Sequence, residues 1–149
     1  MSLKYPSWRD LVEKQRIFDT EVNNKLSRPI TGKSDRDQII ETAFRTSLQV
    51  LPAPFDAIAE SVYESVDGYE REKLAEVKGF LHNLVKKGEN HYEELTPKIG
   101  KITFDVQKLK NDAAKKSTLL FIRDILVGKN NNIDQLIYRL TRAQEELTD

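Results

Sequence analysis

The chain has 149 residues, of which 38% are hydrophobic and 32% charged, with equal numbers of basic and acidic side chains, no cysteine and a mean hydropathy of -0.59. A chain of this length can bury about two-thirds of its unfolded surface in one domain, and the lack of cysteine excludes a disulfide framework, a thiolate metal site and a cysteine nucleophile. No apolar run approaches the roughly 20 residues of a membrane span and the N-terminus lacks the apolar core of a signal peptide, which sets the expectation of a cytoplasmic protein.

Pro6-Ser7 ahead of Trp8 is a helix start, and Trp8, Leu11, Val12, Phe18, Val22 and Leu26 then share one face of a first helix reaching about Arg28. Ser27 to Ser34 contains Pro29 and Gly32 and reads as a loop. Gly32-Lys33-Ser34 resembles the end of a phosphate-binding loop, but Ser27 stands where that motif needs its first glycine and no strand precedes it. Ser34 and Asp37 read instead as a capping pair. The second helix is expected from about Asp35 to Gln49, with Ile39, Ile40, Ala43, Phe44 and Leu48 inward. Pro52-Ala53-Pro54 turns the chain, and a short third helix from Phe55 to about Val66 places Phe55, Ile58, Ala59, Val62 and Val66 inward.

From Tyr69 a three-four repeat begins: Leu74, Val77, Leu81 and Leu84, continued in register by Gly88, His91 and Leu95. The reading is a fourth helix over 69–95, with a break at Lys87-Gly88 as its alternative. Thr96 and Pro97 suit the start of another helix, which runs to Val127 and is closed by Gly128. Ile99, Ile102, Val106, Leu109 and Ala113 form its narrow seam, and Leu119 to Ile122 are apolar all the way round, so that half must be enclosed by several neighbours. With so short a link, 69–95 and 97–127 are expected to pair as an antiparallel coiled-coil-like hairpin. After Lys129-Asn130-Asn131-Asn132, with Asn132 and Gln135 as a capping pair, a last helix offers Ile133, Leu136, Ile137, Leu140, Ala143 and Leu147. The prediction is therefore an all-α bundle of about six helices over 1–149, organised on that hairpin, as a single domain either by itself or within a larger protein. The final helix is expected to cover so much of 119–127 that deleting 133–149 causes aggregation or unfolding.

No catalytic or cofactor signature accompanies these helices. Of the two histidines, His82 falls toward a charged face and His91 lies in the seam register beside Glu94, without the repeated Glu-x-x-His of a di-iron bundle, so no metal and no enzymatic activity are expected. Charge is unevenly spread: 34–67 hold two basic and seven acidic residues, whereas 96–132 hold eight basic and three acidic. Such blocks suit helices docking on each other or on a partner. The expected function is a non-enzymatic helical module that binds another protein or a second copy of itself, with a monomer preferred to a homodimer. The alternative is a nucleic-acid binder using a lysine rail of Lys98, Lys101, Lys108, Lys115 and Lys116; interleaved aromatics and arginines, which usually accompany such rails, are missing. A lesser alternative, association with a membrane surface through Leu48–Ala59 and Leu119–Val127, fits stretches too short to span.

Overall fold

The computed structural model describes residues 4–27 and 36–146. They contain seven helices and no strand: α1 (Trp8–Leu26), α2 (Arg36–Leu48), α3 (Phe55–Ser65), α4 (Glu70–Lys87), α5 (Glu89–Gln107), α6 (Asp112–Leu126) and α7 (Ile133–Glu146). The expected start of α2, the Ser34–Asp37 cap, the loop with Gly32-Lys33-Ser34 and the inward Leu147 lie in whole or in part outside the described residues. No helix among those described is long and apolar enough to cross a membrane.

The all-helical class holds, but the joints fall elsewhere than expected. Gly88 closes α4 with φ of 95°, a left-handed conformation that side chains other than glycine resist, and α5 begins at the next residue. Pro97, expected to start a helix, lies inside α5. A proline there lacks the N–H for one helical bond, and α5 nevertheless continues through it with Pro97 on its exposed side. Lys108 to Asn111 then breaks the segment read as one helix. The chain tightens through bonds from Lys108 N to Asp105 O and from Leu109 N to Val106 O, each 3.1 Å, and Asn111 starts α6 by accepting from Ala114 N through its side chain at 3.1 Å. The segment folds back at that turn, so α5 and α6 pack against each other, and His91 near the start of α5 reaches the carbonyl of Leu126 at the end of α6 at 2.8 Å. The helical hairpin is therefore the one between α5 and α6, with its bend at 108–111 inside the stretch read as one helix, and not a pairing of two continuous helices over 69–95 and 97–127. The seam of α4 goes to α3, α2 and α1, with a smaller contact to α5.

The short helix α3 sits at the centre, touching α2, α4 and α6. Phe55, Ile58, Ala59, Ser61, Val62 and Tyr63 are all buried, more than half of its eleven residues. Aromatic rings hold both of its ends. At the start, Phe55 meets Tyr5 edge-on with ring centroids 5.4 Å apart and Tyr92 at 6.2 Å. At the finish, Tyr63 stacks on Phe44 of α2 at 4.0 Å and donates its hydroxyl to Glu70 of α4. The segment before α1 is tied to α5 by the hydroxyl pair of Tyr5 and Thr103 and by Tyr92, which donates to the carbonyl of Pro6. Burial pushes the phenols of Tyr5, Tyr63 and Tyr92 well above the usual tyrosine range, with the nearby Glu70 adding to the effect at Tyr63.

At the chain's other end, α7 packs chiefly on α6 and α5. Its cap is the expected one, Asn132 accepting from Gln135 N at 3.0 Å. Its buried stripe is narrow, with Leu136, Leu140 and Ala143 inside while Ile137, expected inward, is 45% exposed. Two further burial expectations need correction. Ala113 is exposed because the turn before α6 rotates it out of the seam, and Leu120 and Phe121 are only half-buried because neighbours cover one side of α6 and not its whole circumference.

Candidate functional site

The fold-back at 108–111 decides where the five lysines go. Lys98 and Lys101 stand on α5, Lys108 caps its end, and Lys115 and Lys116 begin the return along α6. A straight seven-residue rail is therefore not formed. Lys101 pairs with Asp105 at 2.9 Å and Lys116 with Glu64 at 2.9 Å; Lys98 to Glu94 and Lys108 to Asp105 are looser, at 4.0 Å. The α5 pairs are solvent-exposed and contribute little to stability, but they set a carboxylate beside each ammonium group that a phosphate would need.

Lys115 and Lys116 instead line a cleft of about 400 Å³ with Glu60, Ser61 and Glu64 of α3, Gln107 of α5 and Asp112 of α6. Its wall is a charge network linking three helices. Arg45 of α2 donates to Glu60 at 2.7 Å and to Glu64 at 3.2 Å while its guanidinium lies 5.7 and 5.9 Å from the ring centres of Phe44 and Tyr63. Glu64 also receives Lys116, and this hydrogen bond, followed by that of Arg45, holds its carboxyl below the usual range. Since Glu64 uses both of its oxygens on these cations, the network fixes α3 between α2 and α6 and leaves Lys116 engaged. Arg45 was not singled out in the sequence; an arginine following a core phenylalanine on one helix, with glutamates four apart on the next, is the signal that marks it.

A different surface lies on α7 and the adjoining part of α6. Ile137 and Tyr138 face outward, 45% and 59% exposed. Beside them Arg139 lies 4.9 Å above the ring of Phe121 and donates to Ser117 Oγ at 3.3 Å, and Arg142 donates to the Tyr138 hydroxyl at 3.2 Å. The result is an apolar and aromatic patch whose guanidiniums are held in place before any partner arrives. Ile137, expected in the core, stands outside it with Tyr138; isoleucine followed by tyrosine and arginine puts one more apolar residue on α7 than a narrow buried stripe can use.

The two histidines occupy unlike settings. His91 serves the end of α6, as described above. His82 of α4 contacts Asp19 and Gln15 of α1. Among the described residues no three of His, Cys, Asp and Glu converge on one point. Comparison with protein families, with curated proteins and with solved structures gives no match.

Proposed function

We propose that this chain is a non-enzymatic helical interaction module whose partner is another protein, and that it docks through the outer face of α7. The observation that carries this reading is the pair Ile137 and Tyr138, side by side in solvent on a helix whose other apolar side chains are committed to α6 and α5. Tyrosine and arginine are enriched among the residues that dominate protein interfaces, tyrosine because it brings large area with few rotors, and Arg139, whose own rotors are many, is already ordered on Phe121 and Ser117. A fitting partner supplies apolar cover for Ile137 and Tyr138 and a carboxylate within reach of Arg139.

The carboxylates beside Lys101, Lys108 and Lys116 favour this reading over nucleic-acid binding, since each phosphate contact would have to displace one. A photoreactive residue placed at Tyr138 in the native host tests it, with a second at the exposed Lys101 as control. The reading expects one discrete protein adduct at position 138 that disappears in Ile137→Asp. Labelled DNA or RNA binding at low salt, lost steeply as salt rises and abolished by Lys101→Glu with Lys115→Glu, would replace the protein partner with a nucleic acid.

A further inference from the structure

We propose that the cleft between α3, α5 and α6 binds a small zwitterion of the amino-acid class, with its carboxylate held by Ser61 and Lys115 and its ammonium group by Asp112. No residue of α7 lines this cleft, so the site is separate from the docking face described above.

Buried polar side chains as a rule find a hydrogen-bond partner inside the protein. Among the described residues Gln15, Ser47, Thr103 and Thr118 obey that rule: Gln15 donates to Asp19, Ser47 accepts from Lys25, and the two threonines donate to the carbonyls of Ile99 and Ala114, one turn back. Ser61 is the exception. It is 6% exposed, yet its hydroxyl makes no hydrogen bond, not even to the carbonyl one turn back on α3. Ser61 lines the cleft of about 400 Å³, which is where the unused hydroxyl can meet a partner. Gln107 lines the same cleft from α5, and its amide nitrogen is buried without an acceptor. Two walls of one cleft thus carry donors with nothing to receive them, an arrangement that is costly unless an acceptor enters.

The charges around the cleft say what that acceptor belongs to. Glu60 is bonded to Arg45, and Glu64 to Arg45 and Lys116, so these carboxylates and cations answer one another. Lys115 and Asp112 do not. They stand one turn apart at the start of α6, a spacing at which side chains can meet, but among the described residues neither forms an ion pair. The cleft therefore offers one free cation and one free anion. A phosphate would bring about two negative charges toward Glu60, Glu64 and Asp112 with a single free ammonium group to receive them. A plain amine would satisfy Asp112 and leave Lys115 and Ser61 without an acceptor. A zwitterion serves both: its carboxylate accepts from the Lys115 ammonium group and the Ser61 hydroxyl, and its own ammonium group donates to Asp112. The volume lies at the lower end of ligand pockets and suits a molecule of this size.

Titration of the isotope-labelled full chain with glycine, β-alanine and γ-aminobutyrate, followed by NMR, tests the site. These three carry the same two charges at increasing separation, and acetate and methylammonium, with one charge each, are the controls. At least one zwitterion should shift the amide resonances of Ser61, Gln107 and Lys115 with a dissociation constant on the order of 1 mM or tighter, and both controls should bind at least about tenfold more weakly. Ser61→Ala removes a hydroxyl without a partner, so its melting temperature should stay within about 2 °C of the parent while binding weakens about three- to tenfold. Lys115→Met should weaken binding by about tenfold or more, whereas Lys101→Met, outside the cleft, should leave it unchanged. The proposal is overturned if none of the three zwitterions shifts these resonances, if acetate binds as tightly as the best of them, or if Ser61→Ala binds as well as the parent. A fall of more than about 4 °C in the melting temperature of Ser61→Ala would also overturn it, because the hydroxyl would then have a structural partner already.

Discussion

Helices α3 and α7 are both amphipathic segments of ordinary length, yet the fold treats them in opposite ways. α3 is gripped by aromatic rings at both ends, touches three helices and shares Glu64 with cations from two of them. α7 rests on one stripe of three buried residues and turns Ile137 and Tyr138 outward. The number of partners, not the strength of the apolar pattern, separates them: α7 has the cleaner segregation of polar and apolar faces, and the helix with mixed faces is the one enclosed. A helix with apolar residues on more than one side needs several neighbours, whereas a sharply two-faced helix is satisfied by one or two and leaves the rest of its surface for other uses.

The contrast has measurable consequences. The largest is expected at Ile58, fully buried in α3, where Ile58→Ala should cost about 2–5 kcal/mol, against a change within about 0.5 kcal/mol for Ile137→Ala on α7. Denaturant titrations of the two variants check this, and equal losses would show that α7 is enclosed after all. Next come the buried phenols. Their raised pKa values mean that the stabilisation they bring is complete below the ordinary tyrosine range and is lost as pH climbs through the folded values, so Tyr5, Tyr63 and Tyr92 should ionise only together with unfolding in an absorbance titration followed alongside circular dichroism.

A pair of glycines gives the third test. Gly88→Ala forces a side chain into φ of 95° and should destabilise by about 1–2 kcal/mol. Gly79→Ala lies inside α4 with open space around the added carbon and should stabilise by up to about 1 kcal/mol. Thermal melts of both distinguish a structural joint from a tolerated gap. The smallest effect belongs to the cleft wall. Lys116→Met removes one partner of the partly exposed Glu64, whose lowered pKa contributes stability above the ordinary carboxylate range that is lost as pH falls. The variant should therefore differ from the parent by less than about 1 kcal/mol at neutral pH and converge with it in acid.

Much of the fold was legible in the residues. The helical class, the Asn132 cap, the core faces of the first three helices and the proline turn before α3 all follow from local rules that the packed chain obeys. The turn at Lys108–Asn111 was not legible because it contains no glycine or proline and Leu109 keeps the seam register; only Asn111 followed by Asp112, a capping residue with an acid in the first turn, marks a new start. Conversely, Pro97 looked like a boundary because proline tolerates a first turn, but the competing glycine nine residues earlier offers a backbone conformation that ends a helix outright. The lysines were found as a set and misjudged as a line, since their seven-residue spacing is collinear only on an unbroken helix. Gln15, Asp19 and His82 could not be associated from the sequence, because what joins them is the packing of α1 on α4 across more than sixty residues.

The arrangement of α5 and α6 around that turn is open to a direct distance measurement, because the chain has no cysteine and accepts a pair of spin labels without background. Lys98→Cys with Asp124→Cys places one label on each helix. Helices folded back on each other, with axes about 8–10 Å apart, bring these labels within about 20 Å. A distribution centred near 39 Å, the rise of about 1.5 Å per residue along an unbroken helix between these positions, would contradict the fold-back and restore a single long helix across 97–127.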